Sequence, residues 1–163
     1  MKLKVVATLG IVALLSACAH EKANNTAGAS TAAIAPPPPP PTGPIPGSEA
    51  DLIATAGNRV FFAFNKSNLS DAAKATLQKQ ANWLAKYPKV NVQVAGNCDD
   101  RGTEEYNIAL GWRRAKAARD LLVAKGVAPS RISTISYGKD RPIALGDNEQ
   151  AWAQNRNATT TVK

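Results

Sequence analysis

Residues 95–117 read AGNCDDRGTEEYNIALGWRRAKA, and the helical pattern that begins inside this stretch decides the fold. Glu104 and Glu105 lie in the first turn of an expected helix over residues 103–125, and Gly126 follows its last turn, as dipole and C-cap preferences favour. At about 100° per residue, one broad arc of this helix carries small and aliphatic side chains. They are Ile108, Leu110, Gly111, Ala115, Ala118, Leu121 and Leu122. We expect this arc to face the core.

Two polar residues fall inside that arc. Asn107 and Arg114 are seven residues apart, so they stack on one stripe about two turns distant, with Gly111 between them. A mid-helix glycine costs roughly 1 kcal/mol against alanine, and it leaves a bare spot where another group can approach the backbone. An inward-facing arginine needs partners, because burying an unpaired charge is prohibitive.

The nearest acids in sequence are Asp99 and Asp100, which precede the helix N-terminus. That N-terminus adds unpaired backbone N–H groups and a partial positive charge. Together these groups suit a zwitterion, a ligand with one carboxylate and one ammonium. The same residues also permit a structural ion pair between Asp99 and Arg114, and the spacing alone leaves both interpretations open.

Strand and helix patterns alternate on both sides of the opening stretch. A helix capped by Ser70 is predicted through Lys86, and a short helix capped by Asp147 or Asn148 ends near residue 155. Strand patterns cover residues 59–64, 90–95, 132–137 and 158–162. The alternation predicts an α/β (α+β) fold, a two-layer sandwich.

The N-terminus has the layout of a bacterial lipoprotein signal. Lys2 and Lys4 precede an apolar run at residues 5–15, which is far shorter than the roughly 20 residues that span a bilayer as a helix. Residues 15–18 (LSAC) resemble the lipobox, in which the cysteine is acylated and becomes the first mature residue. We expect a signal peptide at residues 1–17 and lipidation at Cys18. An ordinary signal peptide with a cysteine near its cut is the alternative.

Residues 18–50 form the expected lipidated N-terminus and Pro-rich flexible tether, and residues 51–163 the folded domain. The tether contains six consecutive prolines and too few large apolar residues to fold. Ala19, rather than aspartate, follows Cys18, which implies sorting to the outer membrane. With Cys18 lipidated, Cys98 has no partner for an intramolecular disulfide.

Four stretches carry a resemblance to a known family. They are FFAFNKSNL at residues 61–69, GNCDDRGTEEYNIALGWRRA at 96–115, GVAPSRISTISYGKDRPIALG at 126–146 and AWAQNRNA at 151–158. From about residue 60 to residue 161 the chain resembles the OmpA-like peptidoglycan-binding domains. The resemblance implies a small mixed β-sheet with helices on one face, and a noncatalytic site without a cofactor.

The ligand that the resemblance implies is the diaminopimelate side arm of the peptidoglycan stem peptide. Asp99 matches the position that holds the ammonium group, and Arg114 matches the arginine that grips the carboxylate in bidentate fashion. Asn107 and Arg156 match two further ligand-binding positions of the family.

Four positions depart from the family pattern. Ala63 and Asn65 stand where an aspartate is usual or frequent, Asn97 replaces the usual histidine, and Asn157 replaces the second of two arginines. An acid at position 63 would contact the ligand or partner an arginine. We therefore expect weaker or altered binding.

Catalysis is disfavoured by the residue inventory. The only histidine is His20 in the tether, so the domain has no histidine for a catalytic triad, as a base for Cys98 or as a metal ligand. Glycan hydrolysis by paired carboxylates stays open, but charged loop residues are far more often solvated.

Nucleic-acid binding is also disfavoured, although the net charge is +8. Removing Lys2 and Lys4 with the signal leaves 18 basic and 12 acidic residues, which are dispersed and accompany no stacking platform. A basic domain suits anionic murein and lipid phosphates.

The expected function is an outer-membrane lipoprotein, with its domain facing the periplasm, that links the membrane to peptidoglycan and supports envelope integrity and cell division. The resemblance implies Tol proteins as partners, especially TolB. The alternative is a periplasmic protein–protein adaptor with weakened murein binding. Trp112, at the edge of the apolar arc, is either an interface anchor or semi-buried packing.

Overall fold

The computed structural model describes residues 43–163. The signal peptide, Cys18 and most of the tether lie outside the described residues. The elements in chain order are α1 (Glu49–Thr55), β1 (Arg59–Phe61), α2 (Asp71–Lys86), β2 (Val92–Asn97), α3 (Glu104–Ala124), a 3₁₀ turn (Pro129–Arg131), β3 (Ile132–Gly138), α4 (Glu149–Asn155) and β4 (Asn157–Val162). Within this part of the chain, the helices are all too short or too polar to cross a bilayer.

The four strands form one mixed sheet in the order β1-β4-β2-β3. β4 pairs antiparallel with both β1 and β2, whereas β2 and β3 run parallel. Helices α2 and α3 pack on the face that carries Val60, Val92 and Val94, and the buried core lies between these two layers. The predicted two-layer α/β (α+β) sandwich with a mixed sheet is confirmed.

Side-chain caps fix where three helices begin. The Ser70, Thr103 and Asn148 side chains each accept a hydrogen bond from the backbone N–H three residues later. The sequence predicted the cap at Ser70. It placed the start of the next long helix at Thr103 without naming a cap, and it left Asp147 and Asn148 as alternative caps for the last helix. Asn148 is the residue that caps α4.

Two strands differ from their predicted bounds by two residues or more, and the other two differ by one residue. β1 ends at Phe61 rather than at residue 64, because the chain turns after Phe62, whose N–H donates to the Arg156 carbonyl. Asn65 then adopts a positive φ of 58°, a conformation that asparagine tolerates. β2 is displaced toward its C-terminus and ends at Asn97, so it delivers the following loop directly to the start of α3.

Helix α1 was not predicted and spans the expected boundary between residues 50 and 51. Ser48 caps it, and the Asp51 carboxylate accepts from the Gly47 N–H at 2.8 Å and from the Trp83 indole N–H at 3.0 Å. Leu52 is fully buried in the core. The end of the tether is therefore fastened to the domain by a long-range contact with α2.

Gly111, the mid-helix glycine, allows α3 to approach β2 closely. Gly111 packs directly on Gly96, and a Cβ added to either residue would overlap the other's backbone. The Ser136 hydroxyl on β3 donates to the Ile108 carbonyl of α3 at 2.7 Å. The bare spot expected from the sequence is thus occupied by the sheet.

We predict that Gly111→Ala lowers the free energy of unfolding by about 1–3 kcal/mol, because overpacking against the Ser136 hydroxyl and the Gly96 carbonyl outweighs the better helix propensity of alanine. Gly43→Ala is the matched control, since nothing lies within 4 Å of its added methyl group, and it should stay within about 0.5 kcal/mol of the parent. Urea denaturation measures both. A Gly111→Ala protein as stable as the parent would show that the helix can move away from the strand.

Candidate functional site

A small pocket of about 140 Å³ opens where the end of β2, the following loop and the start of α3 meet the turn after β1. It is lined by Phe64, Asn65, Cys98, Asp99, Arg101, Gly102, Tyr106, Asn107, Leu110 and Arg114. Three of the four predicted ligand-binding residues, Asp99, Asn107 and Arg114, therefore reach the same pocket. Arg156 does not line it and lies behind Asp99.

Arg114 lies at the bottom of this pocket with 0% of its surface exposed. Its Nε donates to the Lys66 carbonyl at 2.9 Å, Nη1 to the Asn97 carbonyl at 2.8 Å, and Nη2 to the Ala63 carbonyl at 3.3 Å. Burial lowers the pKa of its guanidinium below the ordinary value, and nearby Cys98 and Asp99 oppose that shift. Among the described residues, Arg114 forms no ion pair.

This environment excludes the structural ion pair between Asp99 and Arg114 that the sequence left open. The partners of Arg114 are neutral carbonyls, which satisfy hydrogen bonds without balancing the charge. A guanidinium has five N–H groups, and three are used, so Nη1 and Nη2 each retain one. Arg114 therefore lines a pocket without a directly paired carboxylate in the described chain, and one N–H on each Nη is not used by these carbonyls.

Asp99 is also buried, but it already has partners in the protein. Its Oδ2 accepts from Arg101 Nη2 at 2.7 Å and from Arg156 Nη1 at 3.3 Å. Burial raises the pKa of the Asp99 carboxyl, yet the hydrogen bonds from the two arginines outweigh it and leave the pKa below the ordinary value. Asp99 is thus held ionised, and it is not the free acid that the sequence suggested.

Arg156 donates to the Asp99 carboxylate and orients it without lining the pocket. Its Nε donates to the Phe62 carbonyl at 3.1 Å, and its Nη2 donates to Glu149 Oε1 at 2.5 Å. This arrangement links β1, the loop after β2 and α4 through one side chain. Arg156 contacts Asp99 and does not line the pocket, and the expectation that it binds ligand stays a prediction.

Asn107 holds the loop at the pocket's edge. Its Nδ2 donates to the Arg101 carbonyl at 2.9 Å and to the Thr103 carbonyl at 3.1 Å, and the residue is almost fully buried. Both amide hydrogens are therefore spent on backbone. These bonds fix the loop from Asp99 to Thr103 over the start of α3. Asn107 also lines the pocket, and its expected ligand contact stays a prediction.

Arg101 is the site residue that the sequence argument missed. Its guanidinium lies between two aromatic rings, 4.1 Å from the centroid of Phe64 and 4.0 Å from that of Trp152. It also donates to Asp99, while its Nε is buried without a hydrogen-bond partner among the described residues. In the sequence, Arg101 follows two acids and precedes a loop glycine. This was the only local sign of a role in the site, because both aromatic rings are distant in sequence.

Cys98 has no disulfide partner within residues 43–163 and is buried beside Asn107. Its Sγ lies 3.4 Å from the Asn107 carbonyl oxygen. Burial raises the pKa of the thiol, and the positive charge of Arg114 opposes that shift. The raised pKa disfavours the thiolate, so Cys98 contributes a neutral apolar wall to the pocket.

Two of the four departures from the family pattern contact each other. Asn97 Nδ2 donates to Asn157 Oδ1 at 2.9 Å between β2 and β4, and neither residue lines the pocket. Asn65 does line it and accepts a hydrogen bond from the Tyr106 hydroxyl. Ala63 has an exposed side chain and contacts Arg114 only through its carbonyl oxygen.

Comparison with known proteins gives a family and several relatives. The profile of the OmpA family matches residues 61–156. The chain is 52% identical over 117 residues to a peptidoglycan-associated lipoprotein of Mesorhizobium japonicum, covering 72% of this chain and 70% of the relative. It is 38% identical to a peptidoglycan-associated lipoprotein of Pasteurella multocida, covering 95% of this chain and 94% of the relative.

Solved structures resemble the domain as well. The crystal structure of the peptidoglycan-associated lipoprotein from Burkholderia pseudomallei superimposes with a TM-score of 0.63 at 40% identity, covering 65% of this chain and 90% of that one. The C-terminal domain of Helicobacter pylori MotB gives a TM-score of 0.61 at 24% identity, covering 65% and 84%, and shares the fold.

We predict that Asp99→Asn flattens the acid dependence of stability. The folded pKa of Asp99 lies below its ordinary value of 3.8, so the unfolded chain binds the proton more readily. The carboxylate's contribution is complete above about pH 5 and is lost as the pH falls through the folded pKa. Asp99→Asn should remove on the order of 1 kcal/mol at neutral pH, and it should show a shallower decline between pH 5 and pH 3.

Denaturant titrations at a series of pH values measure this slope. Asp100→Asn, a neighbouring exposed acid, is the matched control and should retain the parent slope. Equal slopes in the parent and the Asp99→Asn protein would mean that the two arginines do not hold Asp99 ionised.

Proposed function

Because the chain belongs to the OmpA family, and within it to the peptidoglycan-associated lipoproteins, we propose that its pocket holds the diaminopimelate of the peptidoglycan stem peptide. The bound group is the amino-acid end of the side arm, which carries one carboxylate and one ammonium. Arg114 binds the carboxylate and Asp99 binds the ammonium.

The observation that carries this proposal is the unbalanced charge of Arg114. Its free N–H groups on Nη1 and Nη2 form the two-pronged donor that matches a carboxylate. The carbonyls of Lys66, Asn97 and Ala63 hold the guanidinium plane in place. A ligand carboxylate therefore meets a fork that is already oriented, and it supplies the negative charge that the protein does not.

The ammonium end is taken by Asp99. Arg101 and Arg156 both donate to Oδ2, so the other oxygen, Oδ1, receives no side-chain donor from the described residues and remains available. The aromatic rings on either side of Arg101 hold the loop while the ammonium binds. The two arginines keep Asp99 ionised, which the attraction to an ammonium requires.

The pocket's size supports one amino-acid end and not a whole stem peptide. About 140 Å³ accommodates a carboxylate, an ammonium and the carbon between them, while the rest of the peptide and the glycan lie outside. Such binding is noncovalent and noncatalytic. Asp100 and Glu104, the acids nearest to Asp99 in the sequence, are solvent-exposed.

The wider role that follows is an anchor between membrane and wall. Lipidation at Cys18 fastens the chain to the outer membrane, and the Pro-rich tether carries the domain through the periplasm to murein. Tol proteins, especially TolB, are the proposed protein partners in envelope integrity and cell division. These steps are supported by the sequence of residues 1–50 and by membership of the family.

A second candidate is a periplasmic adaptor whose murein binding is weakened. The exposed methyl group of Ala63, where the family pattern has an acid, supports it, because no carboxylate from β1 reaches the arginines. Murein retention separates the two functions, since an adaptor persists in partner complexes when it no longer binds sacculi.

We predict that Arg114→Lys lowers binding to isolated murein sacculi by about tenfold or more, because an ammonium cannot reproduce the two-pronged contact. Arg114→Ala should lose at least as much. Arg113→Ala, next to it on the exposed side of α3, is the matched control and should co-sediment like the parent. Thermal unfolding of each variant checks the fold, because Arg114 also ties three backbone segments together.

Small competitors test the same site in the unaltered protein. Free diaminopimelate should release the protein from sacculi, whereas cadaverine, which lacks both carboxylates, and pimelate, which lacks both ammonium groups, should not do so at the same concentration. Undiminished binding by a folded Arg114→Lys protein, or release by all three compounds alike, would refute the proposal.

A further inference from the structure

We propose that the exposed side of α3 and the free edge of β3 form a surface through which two copies of this chain associate about a two-fold axis. This surface is separate from the pocket, and the inference does not depend on the proposed ligand.

The first observation is a continuous stripe on α3. Trp112 is 44% exposed and lies at the centre of this stripe, between an acidic end and a basic end. At about 100° per residue the stripe occupies an arc of roughly 100°. Its members are Glu105, Ile108, Ala109, Trp112, Lys116 and Arg119. We call this set the α3 stripe.

The second observation is that the α3 stripe borders an unpaired strand edge. β3 is the last strand of the sheet, with β2 on one side and no other strand of the described chain on the other. Thr134 of β3 lines one groove of about 340 Å³ together with Trp112, Lys116 and Arg119. A free edge of seven residues is a template for pairing with another chain.

The third observation selects a second copy as the occupant. A two-fold interface brings the same patch together with itself, so the patch must be self-complementary. Glu105 and Arg119 lie seven residues on either side of Trp112. In an antiparallel α3 pair centred on Trp112, each Glu105 therefore faces the other copy's Arg119.

The apolar part of the stripe obeys the same symmetry. Ile108 and Lys116 lie four residues on either side of Trp112, so the methylene stem of each lysine covers the isoleucine of the other copy. Within the described chain, Lys116 and Arg119 form ion pairs with Asp120 alone, at 2.5 and 3.5 Å, and such exposed pairs contribute little. Both side chains can therefore leave Asp120 and contact the second copy.

The directions of α3 and β3 allow the helix contact and the strand-edge contact to form in the same dimer. Because β2 and β3 are parallel and α3 connects them, α3 runs back against both strands. A two-fold axis perpendicular to the sheet then makes the β3 edges and the two α3 helices antiparallel together. One helix stripe and one strand edge lie at the small end of specific interfaces, so the dimer is weak and reversible.

A photo-cross-linking residue at Ala109, in the full-length protein within cells that make it, tests this surface. Ala109 is exposed and one turn from Trp112, and we expect an adduct of twice the chain's mass after irradiation. The same residue at Lys79, exposed on α2, is the matched control and should give none. Equal adducts at both positions, no adduct at Ala109, or an adduct of another mass would overturn the proposal.

Charge exchange tests the register. Glu105→Arg and Arg119→Glu should each lower the yield of the adduct about tenfold, because each places like charges opposite one another. The double variant restores opposite charges across the axis, so its yield should return to the parent level. Failure of the double variant to recover, with thermal unfolding unchanged, would exclude this antiparallel pair. All three variants should retain parent binding to sacculi, which separates this result from any failure of the ligand proposal.

Discussion

The buried guanidinium of Arg114 is the interaction on which the site depends. Within the described residues no carboxylate pairs with it directly. Three backbone carbonyls accept its hydrogen bonds, two from the turn after β1 and one from the end of β2. Desolvation disfavours its charge, yet an arginine does not lose its proton in a protein. The fold therefore maintains a buried positive charge beside a pocket.

The position of this charge follows from the contact between Gly96 and Gly111. With no side chain on either residue, α3 approaches β2 closely enough for Arg114, one turn further along the helix, to reach the Asn97 carbonyl. A larger residue at either position would move the helix outward, and the guanidinium would lose its backbone acceptors. Packing between helix and sheet and the geometry of the site are thus one constraint.

The sequence predicted what depends on near neighbours. The helix cap at Ser70, the apolar arc of α3 and the inward direction of Arg114 all follow from spacing, and the structure confirms them. The acceptors of Arg114 could not be predicted, because Lys66 and Ala63 are 48 and 51 residues away. Arg101 was missed for the same reason, since its orientation comes from Phe64 and Trp152, which only the tertiary fold brings to the loop.

Two of the departures from the family pattern also interact across a long distance in sequence. Asn97 and Asn157 were considered separately in the sequence, where each replaces a basic residue, but they lie together and the Asn97 amide donates to Asn157 Oδ1. What Asn97 contributes to the site is its carbonyl oxygen, which any residue at that position supplies to Arg114. A side-chain change there alters the packing between β2 and β4 and leaves the acceptor in place. Ala63 differs, because an acid there would add a negative charge to a residue whose carbonyl oxygen already accepts from Arg114.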